Sequence, residues 1–289
     1  MGTINVSSIK NNLLHNKALP SGGFFFSTHS LYLEGIINHK SIKMKKIISI
    51  LTLLFFITVN GQTLLYDNVF IKANDVQAYD DLIKNHFSKV HKERVKRGDL
   101  VQWDVWKVVD TPQEDFTHMV TYIYDIEKYP NQGIKPHELA GLSESQWLTI
   151  YEKVNGLRER VAQAKWIDIG KGMVRKKGME YLPNIMVLNM IEAKDGKWGS
   201  YENEELKRTS EINPDGARVG WSFHRRIGEY GDDVYFTHAT IDWFDSYKSY
   251  LQNWYFKASD RKKGAFEWNK LRRLKKMVVM EKFISTQDK

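Results

Sequence analysis

No cysteine occurs in the 289 residues. Its absence excludes a disulfide scaffold, a zinc site built on thiolates, a cysteine nucleophile and a lipid anchor through cysteine. The common catalytic and nucleotide-binding signatures are missing as well, with no HExxH, GxSxG, P-loop or GxGxxG pattern. His86 and His91 stand five apart, whereas ligands on one helical face sit three or four apart. No metal site and no cofactor is expected. Concentrated charge is lacking too. The formal net charge is +8, but residues 1–61 hold six Lys and one Glu, leaving 37 basic against 34 acidic residues and a net +3 beyond them. Basic runs such as KVHKERVKR (89–97) and KLRRLKK (270–276) read as solvated helix faces and strand ends, and no nucleic-acid partner is expected.

Apolar material is plentiful. The chain is 42% hydrophobic with 14 Tyr, 14 Phe and 9 Trp, a composition that builds a packed core rather than a disordered tail. Its one long apolar run covers residues 47–59, preceded by Met44-Lys45-Lys46 and followed by Val59-Asn60-Gly61. Positive, apolar and small-residue segments in that order make a secretory signal, and the run falls short of the roughly 20 residues that span a bilayer. Residues 44–61 are therefore expected to be a signal peptide. Residues 1–43 are then an upstream extension without a fold of its own, Met44 being the physiological start. The mature protein is expected to be exported, periplasmic or secreted, with no stable membrane insertion after cleavage.

Two phrases answer each other across the chain: FTHMVTYIYDIEK (116–128) and FTHATIDWFDSYK (236–248). Their neighbourhoods correspond as well. LVQWDVWKVV (100–109) and ARVGWSFHRRI (217–227) each read as a strand carrying a Trp, followed by the FTH strand. Before each pair comes a strand and then a helix: NVFIKA (68–73) with residues 76–98, and NIMVLNMIEA (184–193) with residues 201–212. After each comes a stretch read as helical, 143–166 and 261–275, and a short closing strand, 173–179 and 277–283. The stripe Trp147, Ile150, Tyr151, Val154 and Leu157 has helical spacing and reads as core packing. A repeat of this length is a duplicated small domain, not a solenoid unit. The domains are accordingly 62–180 and 181–289.

Strand, helix, two strands and a helix, with a Trp-bearing second strand and YD or FD closing the third, resembles the dimeric α/β-barrel proteins. These include antibiotic-biosynthesis-type monooxygenases and EthD-like and NIPSNAP-like domains. The segment HKERVKRGDLVQWDVWKVV is similar to first repeats of exported Bacteroidota proteins of this type. The resemblance implies an α+β fold: two ferredoxin-like βαββα repeats whose antiparallel sheets pack into one internal pseudo-dimeric barrel. The product is a monomeric pseudo-dimer or a homo-oligomer. The haem-degrading branch carries an Asn on the first strand, a Trp on the sheet and a His on the helix after the third strand. Asn189 and Trp243 can stand for two of these, but residues 246–263 contain no His, which disfavours haem.

Side chains alternate between the faces of a strand. On the third strands Thr117, Met119, Thr121 and Ile123 are expected beneath the helices; Phe116, His118, Val120, Tyr122 and Tyr124 are expected inside the barrel. On the second strands Trp103 and Val105 read as core, while Asp104, Trp106, Ser222, His224 and Arg226 face inward. The expected pocket is therefore the barrel interior. His238 and His224 are the candidate general bases, and Arg226, Asp242, Asn189, Trp106, His118 and Tyr122 the candidate ligand-binding residues, with the second half chemically the richer. The leading expectation is a protein that binds a small apolar or aromatic molecule. A cofactor-independent monooxygenase or isomerase is the alternative, and an interaction protein with a filled barrel the third reading.

Overall fold

The computed structural model describes residues 63–110, 115–129, 133–170, 172–207, 216–229, 234–255 and 268–288, with only the backbone of 254 and 255. The expected signal peptide and upstream extension lie outside these residues. The first half comprises β1 (Leu64–Ala73), α1 (Val76–Leu82), a π-helical turn (Ile83–Phe87), α2 (Ser88–Lys96), β2 (Gln102–Val108), β3 (His118–Asp125), α3 (Pro136–Ala140), α4 (Glu144–Gly156) and β4 (Arg158–Asp168). The second comprises β5 (Val174–Arg175), β6 (Ile185–Ala193), α5 (Trp198–Lys207), β7 (Gly220–Ile227), β8 (His238–Phe244), α6 (Tyr247–Tyr255) and β9 (Arg272–Ser285). Local signals set several boundaries. Asp75 caps α1 by accepting from Ala78 N, and Ser143 opens α4 with a capping box completed by Gln146.

The sheet runs β4-β1-β3-β2-β9-β6-β8-β7, and β7 returns to pair with β4. All pairings are antiparallel, so the sheet closes on itself and eight strands make a barrel. Two long strands stitch the halves together. β4 pairs with β1 along most of its length and with β7 through Lys165–Asp168; β9 pairs with β6 and, through its end, with β2. The irregularities repeat too, between Phe70 and Ile71 in one half and Met190 and Ile191 in the other.

These stitching strands correct the expected ends of the repeats. Residues 143–166 are not one helix: α4 ends at Gly156 and β4 begins at Arg158. Likewise β9 starts at Arg272, inside the stretch read as helix. Arg, Glu, Lys, Gln and Ala favour helices locally, but a waiting edge of β1 or β6 outweighs that weak preference.

Register also decides the faces. Trp103 lies opposite Tyr122, Val105 opposite Val120 and Lys107 opposite His118, and residues directly opposite share a face. The expected assignment of the third strands is thus reversed. His118, Val120 and Tyr122 pack beneath the helices with Trp103 and Val105, while Met119, Thr121 and Ile123 face inward with Trp106 and Asp104. The interior is as apolar as the helix-covered face, with Phe70, Trp106, Trp166, Met186, Leu188, Trp243 and Met280 buried there. Apolarity therefore could not tell the two faces apart.

The doubled FTH phrase builds a doubled anchor. In the first half the Thr117 hydroxyl accepts from Ala73 N (2.9 Å) and meets His118 Nδ1 at 2.8 Å, while His118 Nε2 meets Asp80 Oδ1 of α1 at 2.9 Å. In the second, Thr237 accepts from Ala193 N (2.9 Å) and meets His238 Nδ1 at 2.9 Å, while His238 Nε2 meets Glu202 Oε1 of α5 at 2.9 Å. A carboxylate only accepts, so Nε2 carries the proton and Nδ1 accepts from the threonine. Each carboxylate is also held by a cation from the second strand, Lys107 on Asp80 and Arg225 on Glu202 at 2.6 and 2.7 Å. Each anchor pins a helix to the sheet by charge-assisted bonds, typically about 1.5–3 kcal/mol apiece.

Candidate functional site: a crevice between sheet and helices

The eight residues expected to share a pocket are dispersed. His118 and His238 form the two helix anchors, with both ring nitrogens engaged and pKa values lowered by burial despite the adjoining carboxylates. Trp106 and His224 face the barrel interior. Arg226 sits at its end, its guanidinium 5.0 Å from the Phe236 ring centroid and paired with Glu229. Asn189 and Asp242 lie on the helix-covered face of the second half. Tyr122 lines a space of ligand size surrounded by aromatic residues.

That space, of about 400 Å³, lies between the sheet of the first half and its helices, within the roughly 300–1,000 Å³ usual for ligand pockets. Tyr79 and Ile83 enter it from α1 and the π-helical turn, His91 and Arg94 from α2. The extra residue per turn in a π-helix rotates the helix beyond it about its axis, a device frequent at functional sites. Trp147 and Tyr151, one turn apart on α4, supply the opposite wall. The floor is Trp103, Val120 and Tyr122, and alternation along β4 brings Arg158 and Arg160 to the same face. Gly133, Ile134 and Pro136 close one side.

The electrostatics are one-sided. Arg94, Arg158 and Arg160 form no ion pair with a carboxylate among the described residues, whose ion pairs lie elsewhere. Burial pushes the Tyr79 phenol up to about 12 and raises Tyr122, so both stay neutral hydroxyls. His91 is held well below its usual range by burial and then by Arg94. Its neutral ring stacks on Trp103 at 4.4 Å and meets Tyr122 edge-on at 5.2 Å. Four buried polar atoms around this space lack an aligned hydrogen-bond partner among the described residues: Tyr79 Oη, Trp103 Nε1, Arg94 Nε and Arg158 Nε. Arg158 does interact with the Tyr79 hydroxyl, Trp103 with Tyr122 and Arg94 with Tyr124, but bonds this poorly aligned offset only part of the cost of burial. All four can donate.

The sequence concealed this site in two ways. KVHKERVKR reads as solvated charge, yet its His91 is 6% exposed and, with Arg94, faces the crevice. LRERVAQAKW reads as helix, which hides the strand alternation of Arg158 and Arg160. The signal that finds them is period two after Leu157. Trp147 does pack against Phe87, as the stripe implied, at 5.1 Å.

No family model and no curated protein matches the chain. Solved structures do. A putative monooxygenase from Fusobacterium nucleatum shares 11% identity over 78% of this chain and 94% of its own, with a TM-score of 0.50. An anthrone oxidase-like protein shares 9% over 78% and 92%, also at 0.50. A putative monooxygenase from Lactobacillus acidophilus shares 11% over 77% and 95%, at 0.48. The fold is the dimeric α/β barrel. Here both of its halves belong to one polypeptide, as the closed sheet requires.

Proposed function

We infer that this dimeric α/β barrel binds a small aromatic molecule carrying an anionic oxygen, such as a carboxylate or an enolate-type oxygen, in the crevice of the first half. The supporting observation is four buried donors without an aligned partner among the described residues, around a space walled by tryptophan and tyrosine and bordered by three guanidinium groups. Buried donors ask for acceptors, and unpaired guanidinium groups ask for an anion. The ring of such a ligand suits Trp103, Trp147 and Tyr122, which offer apolar faces and edges. The expected apolar or aromatic guest thus acquires a charge.

A catalytic role needs a base whose pKa lies near the working pH. Among the lining residues His91 is neutral, and its Nδ1 faces Arg94 Nη1 at 3.4 Å. The crevice accordingly supports binding better than proton transfer. Calorimetric titration with 2-naphthoate and with 2-naphthalenemethanol tests the reading. The carboxylate is expected to bind at least ~10-fold tighter and to lose that advantage in Arg158→Ala. Equal affinities for the two compounds would sink the proposal.

Export belongs to the same reading and rests on the signal at 44–61. Protein taken from its native host should begin at or near Gln62. A first residue within 1–43 would refute it.

A further inference from the structure

A second set of underbonded polar atoms lies inside the barrel. There a cavity of about 100 Å³ opens onto Asp104, Trp166 and His224. These are 3%, 1% and 2% exposed, and each keeps one polar atom without an aligned partner among the described residues: Asp104 Oδ1, Trp166 Nε1 and His224 Nδ1. The remaining groups are tied down. Gln102 donates to Asp104 Oδ2 at 2.6 Å, and the Ser285 hydroxyl, opposite on β9, also interacts with this carboxyl. His224 Nε2 meets Ser222 Oγ at 3.1 Å, and Trp243 Nε1 donates to the same hydroxyl at 3.3 Å. The three side chains come from β2, β4 and β7, so the cavity lies against the seam where β4 of the first half joins β7 of the second. Tyr66 stands between them, opposite Trp166 on β1 and edge-on to the His224 ring at 4.7 Å.

The chemistry differs from that of the crevice. Trp166 Nε1 only donates, His224 Nδ1 donates or accepts according to its tautomer, and Asp104 accepts or, when protonated, donates. Burial holds His224 near 3 and raises Asp104 to about 7, so the histidine is neutral at pH 7. A charged guest would have to shed its water among tryptophans and methionines, at a cost these groups do not offset. The size is bounded too: a cavity of about 150 Å³ holds benzene, and this one is smaller.

We propose that the barrel interior is a second binding site, for a small uncharged molecule that both donates and accepts hydrogen bonds, held by Asp104, Trp166 and His224. It is independent of the crevice, since different residues line it on the opposite face of the sheet. Pyrazole, small and neutral with adjacent donor and acceptor nitrogens, is a suitable probe, and 1-methylpyrazole lacks the donor. Titration of the ¹⁵N-labelled protein is expected to move the Trp166 indole N–H resonance saturably, the resonance being assigned by its loss in Trp166→Phe. The methylated probe is expected to bind at least ~5-fold more weakly, as one lost buried hydrogen bond implies. His224→Phe is expected to weaken pyrazole similarly. Should Trp166→Phe fail to fold, an intermolecular NOE from pyrazole to an indole N–H that also contacts Tyr66 makes the assignment. No saturable shift, a shift of the Trp103 indole alone, or unchanged affinity in His224→Phe would each overturn the proposal. Failure of the crevice reading is separately visible, because 2-naphthoate should move Trp103 and not Trp166.

Discussion

The two helix-covered faces have a common plan and opposite electrostatics. Register matches them residue for residue. Trp103 opposes Tyr122 as Trp221 opposes Asp242, and Arg158 opposes Ala73 as Arg272 opposes Ala193. In the first half Arg94, Arg158 and Arg160 have no carboxylate partner among the described residues, and Lys107 alone of the crevice-side cations is committed, to Asp80 of the helix anchor. In the second, a space of about 260 Å³ is crossed by Arg218–Asp242 at 2.7 Å and Arg272–Glu205 at 3.1 Å, and Asn189 donates to Asp242 at 3.1 Å. The half with more polar residues is therefore the more self-satisfied. Ligand-binding potential follows unbalanced hydrogen bonding and charge, not the density of titratable groups.

Removing the matched arginines should expose the difference most strongly. Arg272→Ala leaves Glu205, 5% exposed, without that partner and is expected to cost about 3 kcal/mol. Arg158→Ala removes no ion pair and relieves crowding among three guanidinium groups, so its cost should stay below about 1 kcal/mol. Urea unfolding of both variants measures this. Equal losses would break the comparison, because they would mean that Arg158 already has a counter-charge.

The histidine anchors test what the halves share. His118→Ala and His238→Ala each strand a largely buried carboxylate and its cation, and each is expected to cost about 2 kcal/mol. Neither should alter 2-naphthoate affinity in the folded protein. If His238→Ala kept full stability while binding collapsed, His238 would return as a site residue and the anchor would be ruled out as its main role.

The fold was legible because duplication writes it twice. Two Trp-bearing strands, two FTH strands and their preceding helices are each visible as pattern. β4 and β9 were not, since what makes Arg158–Asp168 a strand is the edge of β1, a partner far away in sequence. The site was less legible still. Placing Tyr122 beside Trp103 and away from Trp106 needs the pairing register, and alternation alone leaves a choice between two apolar faces. One slip of assignment put His118 and His238 inside the barrel when they in fact tie Asp80 and Glu202 to the sheet.

The interior sharpens the comparison at smaller energies, because there a matched position carries an acid in one half only: Asp104 in the first half, Ser222 in the second. Burial raises the folded-state pKa of Asp104 to about 7, against about 3.9 in an unfolded chain. The folded protein therefore binds this proton more tightly than the unfolded one. Its contribution to stability is complete below pH 4, declines as pH rises, and is gone once pH passes through about 7. Asn mimics the protonated acid. Asp104→Asn should thus gain on the parent by about 1 kcal/mol between pH 6 and pH 7, with little further change above pH 8. Thermal melts of both proteins across that range measure the difference. A constant gap would mean that Asp104 titrates normally and is hydrated, and the dry, neutral interior proposed for the barrel would fall with it.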